Sequence, residues 1–155
     1  MASIFSIVYK PKDQLDKQRM DTYVRVPLQQ ATLVANYGIQ GDQNGGHHPD
    51  RQLNVLSREF LLAQKEKGYD IEPGRFGEQI TISGLAVETL EPGTRLQLGG
   101  EARIEVVKTR TGCNHFEAVQ GKTVEGLGAL GVMARVIAGG VIHVGDPVTV
   151  LETVS

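Results

Sequence analysis

One stretch of this sequence gathers the residue types of covalent or metal chemistry: Thr109-Arg110-Thr111-Gly112-Cys113-Asn114-His115-Phe116. Cys113 is the only cysteine in the chain. An internal disulfide and a Cys-rich structural zinc site are therefore excluded. The stretch reads as a strand end, a glycine-assisted turn and then a short helix over Cys113–Gln120. Backbone N–H groups at a helix start favour anions and lower a thiol pKa. Arg110 and His115 stand close enough in sequence to assist. The competing reading is a small buried hydrophobe, the usual fate of a lone cysteine. Pattern alone leaves both open.

A second group, Asp42, His47, His48 and Asp50, has metal-ligand chemistry within a Gly-rich loop. Zinc would need three or four convergent ligands, and this spacing does not impose convergence. An Asx-type turn at Asp42 with surface histidines around Pro49 is the plainer reading. Arg51, Arg110 and Arg135 lie beside Gly-rich segments, where a guanidinium can fork onto phosphate or carboxylate. Each could equally be the ion-pair partner of a nearby glutamate, with Glu78 and Glu105 as candidates. Lys122 in Gln120-Gly121-Lys122-Thr123 lacks the spacing of a phosphate-binding loop. No nucleophile elbow occurs, and no βαβ pattern surrounds Gly38 and Gly41 to make a dinucleotide site.

The elements that would position these residues are short. Strands are expected over 3–9, over 24–36 with Pro27 at an edge or bulge, and over 51–56. Others are expected over 78–83, 95–98, 102–109, 132–138, 141–144 and 147–154, where apolar residues recur at period two. The best helix candidate has Ser57 as N-cap, Phe60, Leu61 and Gln64 on its periodic face, and Gly68 as the stop. Gly is 19 of 155 residues, all at or after Gly38, which suits strands joined by tight turns. The fold class expected is mainly β: a single barrel with one or two short helices, its core over about 24–150, with closure removing exposed edges.

Sixteen Lys+Arg against eighteen Asp+Glu give a net charge of −2. A nucleic-acid binder held by phosphate contacts would normally be basic, so no nucleic-acid partner is expected. No apolar run reaches the roughly 18 residues of a membrane span. The first residues lack the basic region of a signal peptide. A cytoplasmic protein without a membrane partner is the expectation.

Taken in order, several motifs resemble the MOSC domain, the C-terminal domain of molybdenum cofactor sulfurases. They are Gly38-Ile39-Gln40-Gly41-Asp42, Arg51-Gln52-Leu53-Asn54-Val55-Leu56 and Pro73-Gly74-Arg75-Phe76-Gly77-Glu78-Gln79-Ile80-Thr81. Further on come Gly84-Leu85, Leu90-Glu91-Pro92-Gly93, Leu96-Gln97-Leu98-Gly99, Thr109-Arg110-Thr111-Gly112-Cys113, Met133-Ala134-Arg135-Val136 and Gly145-Asp146. The resemblance spans about 24–150 and implies one MOSC-type β-barrel over 1–155. It also implies a molybdenum–molybdopterin cofactor, with Cys113 as molybdenum ligand or persulfide site, since a soft thiolate suits either role. Arg110 and Arg135 match positions near the pterin and its phosphate. Arg51, Asp42 and His47 belong to the matching loop, and Asn114 adjoins the cysteine. These groups are expected to converge on one cleft.

Two residues depart from the family pattern: Gln79 replaces the usual Asn after Gly-Glu, and Gly112 stands where many members have Pro. The N-terminal barrel of the amidoxime reductases and the pyridoxal-phosphate domain of the sulfurases are absent from the sequence. A carrier would therefore need a sulfur donor such as a cysteine desulfurase. Two alternatives accompany the cofactor-binding or sulfur-carrier module. One is a small molybdenum-dependent reductase of N-hydroxylated compounds fed by an electron-donor protein; the other is a cofactor-free interaction barrel.

Overall fold

A computed structural model describes residues 2–10, 26–42, 53–111 and 129–153. The chain runs β1 (Ser3–Tyr9), β2 (Val26–Leu28), β3 (Gln30–Val34), β4 (Gly38–Ile39), β5 (Leu53–Ser57), α1 (Arg58–Glu66) and β6 (Ile80–Ser83). It continues through β7 (Thr94–Leu98), β8 (Ala102–Thr111), β9 (Ala129–Ala138), β10 (Gly140–His143) and β11 (Val148–Thr153). A 3-10 turn at Val87–Thr89 was not expected from the sequence. The second expected helix, over Cys113–Gln120, lies outside the described residues.

Eight strands form one sheet in the order β11-β7-β8-β9-β5-β6-β1-β2, and three form a second, β10-β3-β4. Neighbours are antiparallel except β5 and β6, whose parallel pairing follows from the α1 crossover between them. Period-two alternation does what it should. Leu96, Leu98, Ile104, Val106, Val132, Ala134 and Val136 face inward and meet Ala31, Leu33, Ile39 and Ile142 of the smaller sheet in one core.

The expected barrel is corrected in one respect: among the described residues no sheet closes on itself. β1 meets the approach to β11 through a single bridge, Ser3 with Pro147, flanked by Ile4 N–H donating to Asp146 O at 2.9 Å and Val148 N–H to Ala2 O at 3.0 Å. The long strand expected over 24–36 breaks at Gln29. Before the break β2 edges the large sheet beside β1; after it β3 joins β10. Alternation reports which face is buried and not which sheet a strand joins, so the switch had no sequence signature.

α1 forms where its caps place it. Ser57 Oγ accepts from Phe60 N–H at 3.1 Å, and Gly68, at φ 91°, ends the helix. Its buried residues are Leu61 and Gln64. Leu61 joins Leu56, Phe76 and Leu130 in a second apolar cluster outside the main core.

Candidate functional site

The interior holds an uncommon set of polar side chains: Asp42, Glu78, Gln79 and Arg110 are each at most 5% exposed. Buried polar groups are tolerated when hydrogen-bonded, and these share one network around the 73–79 loop. Glu78 folds back on the turn before it. Its Oε2 accepts from Gly74 N–H at 2.9 Å and its Oε1 from Phe76 N–H at 3.1 Å. The turn can present those N–H groups because Gly74 and Gly77 take positive φ, 86° and 73°. Burial pushes the Glu78 carboxyl above the ordinary glutamate range. The N–H donors of Gly74, of Glu78 itself and of Phe76, with the Arg110 guanidinium, pull it back only in part.

Gln79 extends the network. Its Oε1 accepts from Asn54 N–H at 2.6 Å, and its Nε2 donates to Asp42 Oδ2 at 3.2 Å. Asn54 Nδ2 donates to Gly77 O at 3.1 Å. The other oxygen of Asp42 accepts from Lys10 N–H at 3.1 Å, at the end of β1. On the far side of the loop, Arg110 Nη1 donates to Phe76 O. The Phe76 ring is fully buried, with Phe60 and Tyr69 edge-on at 6.0 Å.

The sequence-derived candidates divide as follows. Asp42 and Arg110 are buried and belong to this network. His47, His48 and Asp50, which the sequence groups with Asp42, lie outside the described residues; among the described residues no group of three or more His, Cys, Asp or Glu converges. Arg135 stands elsewhere. It faces Glu105 across the β8–β9 ladder, with Nη2 to Glu105 Oε2 at 2.9 Å, while Arg95 Nε takes Glu105 Oε1 at 3.1 Å. The glutamate-partner reading thus describes Arg135. Glu105 and Arg110 are five residues apart on β8, about 16 Å along a strand, so Arg110 and Arg135 occupy separate places. Arg135 Nε is buried and has no acceptor among the described residues. Cys113, Asn114, His47 and Arg51 lie outside the described residues. In sequence, Asp42 immediately precedes the segment with His47 and Arg51, and Cys113 comes three residues after Arg110.

Glu78 was foreseen only as a possible arginine partner, and Gln79 only as a departure from a pattern. The available signal was an acid placed just after a turn with two glycines, where free N–H groups want an acceptor.

These features define a β-rich domain of two sheets around one core, with a buried polar loop at 73–79. The MOSC domain family model matches residues 42–149, and the chain belongs to that family. Solved structures agree in fold. YiiM from Geobacillus stearothermophilus is 20% identical with a TM-score of 0.73, covering 98% of this chain and 76% of that one. YiiM from Escherichia coli is 25% identical with a TM-score of 0.66, covering 100% and 72%. The YUAD protein from Bacillus subtilis is 17% identical with a TM-score of 0.68, covering 96% and 94%. No curated protein matches the sequence.

Proposed function

We propose that this protein binds a molybdopterin-type molybdenum cofactor, or carries sulfur for it, through Cys113. The observation that carries the reading is the position of the only thiol: it falls inside the family-matched segment, three residues after a buried arginine. The donor chemistry fits such a group. Cys113 supplies the only thiolate ligand in the chain. Arg110, 5% exposed, supplies a desolvated cation, which suits an anionic pterin phosphate; Arg135, held by Glu105 on another part of the sheet, is left out of this set. Asp42, through Gln79, anchors the start of the segment that brings His47 and Arg51, and Asn114 adjoins the cysteine. Bound there, the metal would supply the redox or sulfido chemistry.

In the carrier reading, the terminal sulfur of a donor persulfide is attacked by the Cys113 thiolate. The new S–S bond forms on Cys113, and the donor leaves as its thiolate. A single unpaired thiol also fits a reducing compartment, which supports the cytoplasm as the site of action. No helix among the described residues is long and apolar enough to cross a membrane.

The test compares parent and Cys113→Ser, purified from a molybdenum-sufficient host, by elemental analysis and intact mass after exposure to a desulfurase and cysteine. The expected result is molybdenum, or one added sulfur atom, on the parent and neither on a variant that melts at the parent's temperature. Turnover of a hydroxylamine with an added reductant would assign the reductase role. A destabilised variant that retains as much molybdenum as the parent makes Cys113 a packing residue and ends the proposal.

A further inference from the structure

Beside the start of α1 lies a groove of about 450 Å³, walled by the first turn of the helix and the 84–88 segment. Its apolar surface comes from Phe60, Leu85 and Ala86. These walls are fixed: Phe60 packs edge-on against buried Phe76 at 6.0 Å, Leu85 packs on the main core, and the adjacent Val87 is fully buried. Two carboxylates also line the groove, and backbone donors hold both in place. Glu88 takes Ser57 N–H at 2.8 Å and Ser57 Oγ–H at 2.7 Å. Glu59 takes Gly84 N–H at 3.2 and 3.1 Å. Among the described residues neither carboxylate has a cationic partner. The neighbouring Arg58 lies over the Phe5 ring, 4.3 Å from its centroid.

An apolar floor between two fixed negative charges selects an occupant that is both apolar and cationic. The geometry points to this groove as the docking site for an extended segment of a partner protein, seating a lysine or arginine side chain beside apolar ones. Such side chains lay their methylene stems on apolar surface and keep the charge at its edge, here against Glu59 and Glu88. In an extended chain residues two apart share a face, so an apolar–x–Lys–x–apolar segment presents the required set. The inference is independent of Cys113 and of any cofactor.

The probe is the peptide acetyl-Gly-Leu-Ser-Lys-Ser-Leu-Gly-amide, titrated into the full chain while the amide resonances of Gly84, Leu85 and Ala86 are followed. Those resonances are expected to shift. Binding should weaken by about fivefold to tenfold when norleucine replaces the lysine, by a similar factor in Glu59→Gln with Glu88→Gln, and again at high salt, as partly exposed charge pairs require. Glutamine retains the acceptor oxygen for Ser57 or Gly84. Should the double variant melt well below the parent, Glu59→Gln alone, at the exposed first turn, provides the charge test with about half the effect on a logarithmic scale. Equal binding of the norleucine peptide, or no shift at 84–86, overturns the proposal. So does binding of 1-hexylammonium as tightly as the peptide, which would make the groove a small-cation site.

Discussion

Replacing Gly131 by alanine isolates a contact on which the placement of β9 depends. Gly131 has φ +90°, and a Cβ there would lie 2.2 Å from the Val55 carbonyl oxygen and 2.7 Å from Leu56 Cβ. Backbone of β9 and β5 meet at that point, where Val132 pairs with Val55. Next to it Leu130 packs into the cluster with Phe76, whose carbonyl receives Arg110. Two penalties add. A left-handed conformation costs an L-residue about 1–2 kcal/mol, and overpacking against neighbours that cannot retreat costs about 1–3 kcal/mol. The sum is about 2–5 kcal/mol, or about 5–15 °C in Tm for a chain of this size. Two other glycines separate the penalties. Gly145 has φ +96° with open space around its Cβ position, and Gly100 has nothing within 4 Å and no positive φ. Thermal unfolding followed by circular dichroism should therefore rank the alanine variants: Gly100→Ala near the parent, Gly145→Ala lower by the conformational penalty alone, Gly131→Ala lowest. If Gly131→Ala melts no lower than Gly145→Ala, the close approach of β9 to β5 is not what holds this region.

Two substitutions probe the polar network. Glu78 has a folded-state pKa raised above its unfolded value. Its stabilising contribution is thus present on the acid side and lost as pH rises from the ordinary glutamate range through the folded pKa. Glu78→Gln removes that slope, so the gap in Tm between variant and parent should move in the variant's favour across this window; parallel Tm-against-pH curves would refute the assignment. Gln79→Glu keeps the shape but sets a second buried carboxylate beside Asp42, where the amide now donates at 3.2 Å. Like charges so placed must share a proton, so the variant should lose about 2–4 kcal/mol at neutral pH and regain much of it at acid pH, measured by urea unfolding at both. A loss independent of pH would mean that the two groups do not face each other.

The parts of the fold legible in the sequence were those set by local chemistry. Ser57 and Gly68 bound α1 because a cap hydroxyl and a left-handed glycine act over three or four residues. The alternation of Leu96 and Leu98, and of Ile104 and Val106, gave inward faces that the core uses. What depends on distant partners was hidden. The break at Gln29 is fixed by Val144 N–H reaching Gln29 O at 2.9 Å, a bond between residues over a hundred positions apart. At the site, Arg135 was legible as half of an ion pair, because Glu105 was a named candidate, but not as remote from Arg110. Asp42 was read as a turn residue or ligand; it is completely buried, and its carboxylate accepts from Lys10 and Gln79, both far from it in sequence.

The 73–79 loop ties together two places that the chain order keeps apart. On one side Gln79 reaches Asp42, where the His47 and Arg51 segment begins; on the other Phe76 O receives Arg110, shortly before Cys113. Glu78 stands between them and fixes the loop through Gly74 and Phe76 N–H. The Asn-to-Gln departure from the family pattern acquires a physical meaning in this arrangement. An asparagine, one methylene shorter, would fall about 1.5 Å short of spanning from the start of β6 to both Asn54 N–H and Asp42. The longer amide bridges them, and Asp42 offers an oxygen for its N–H. A movement at Asp42 or at Arg110 must therefore stretch hydrogen bonds in a buried network, which makes the loop the stiff element to which both residues are tied.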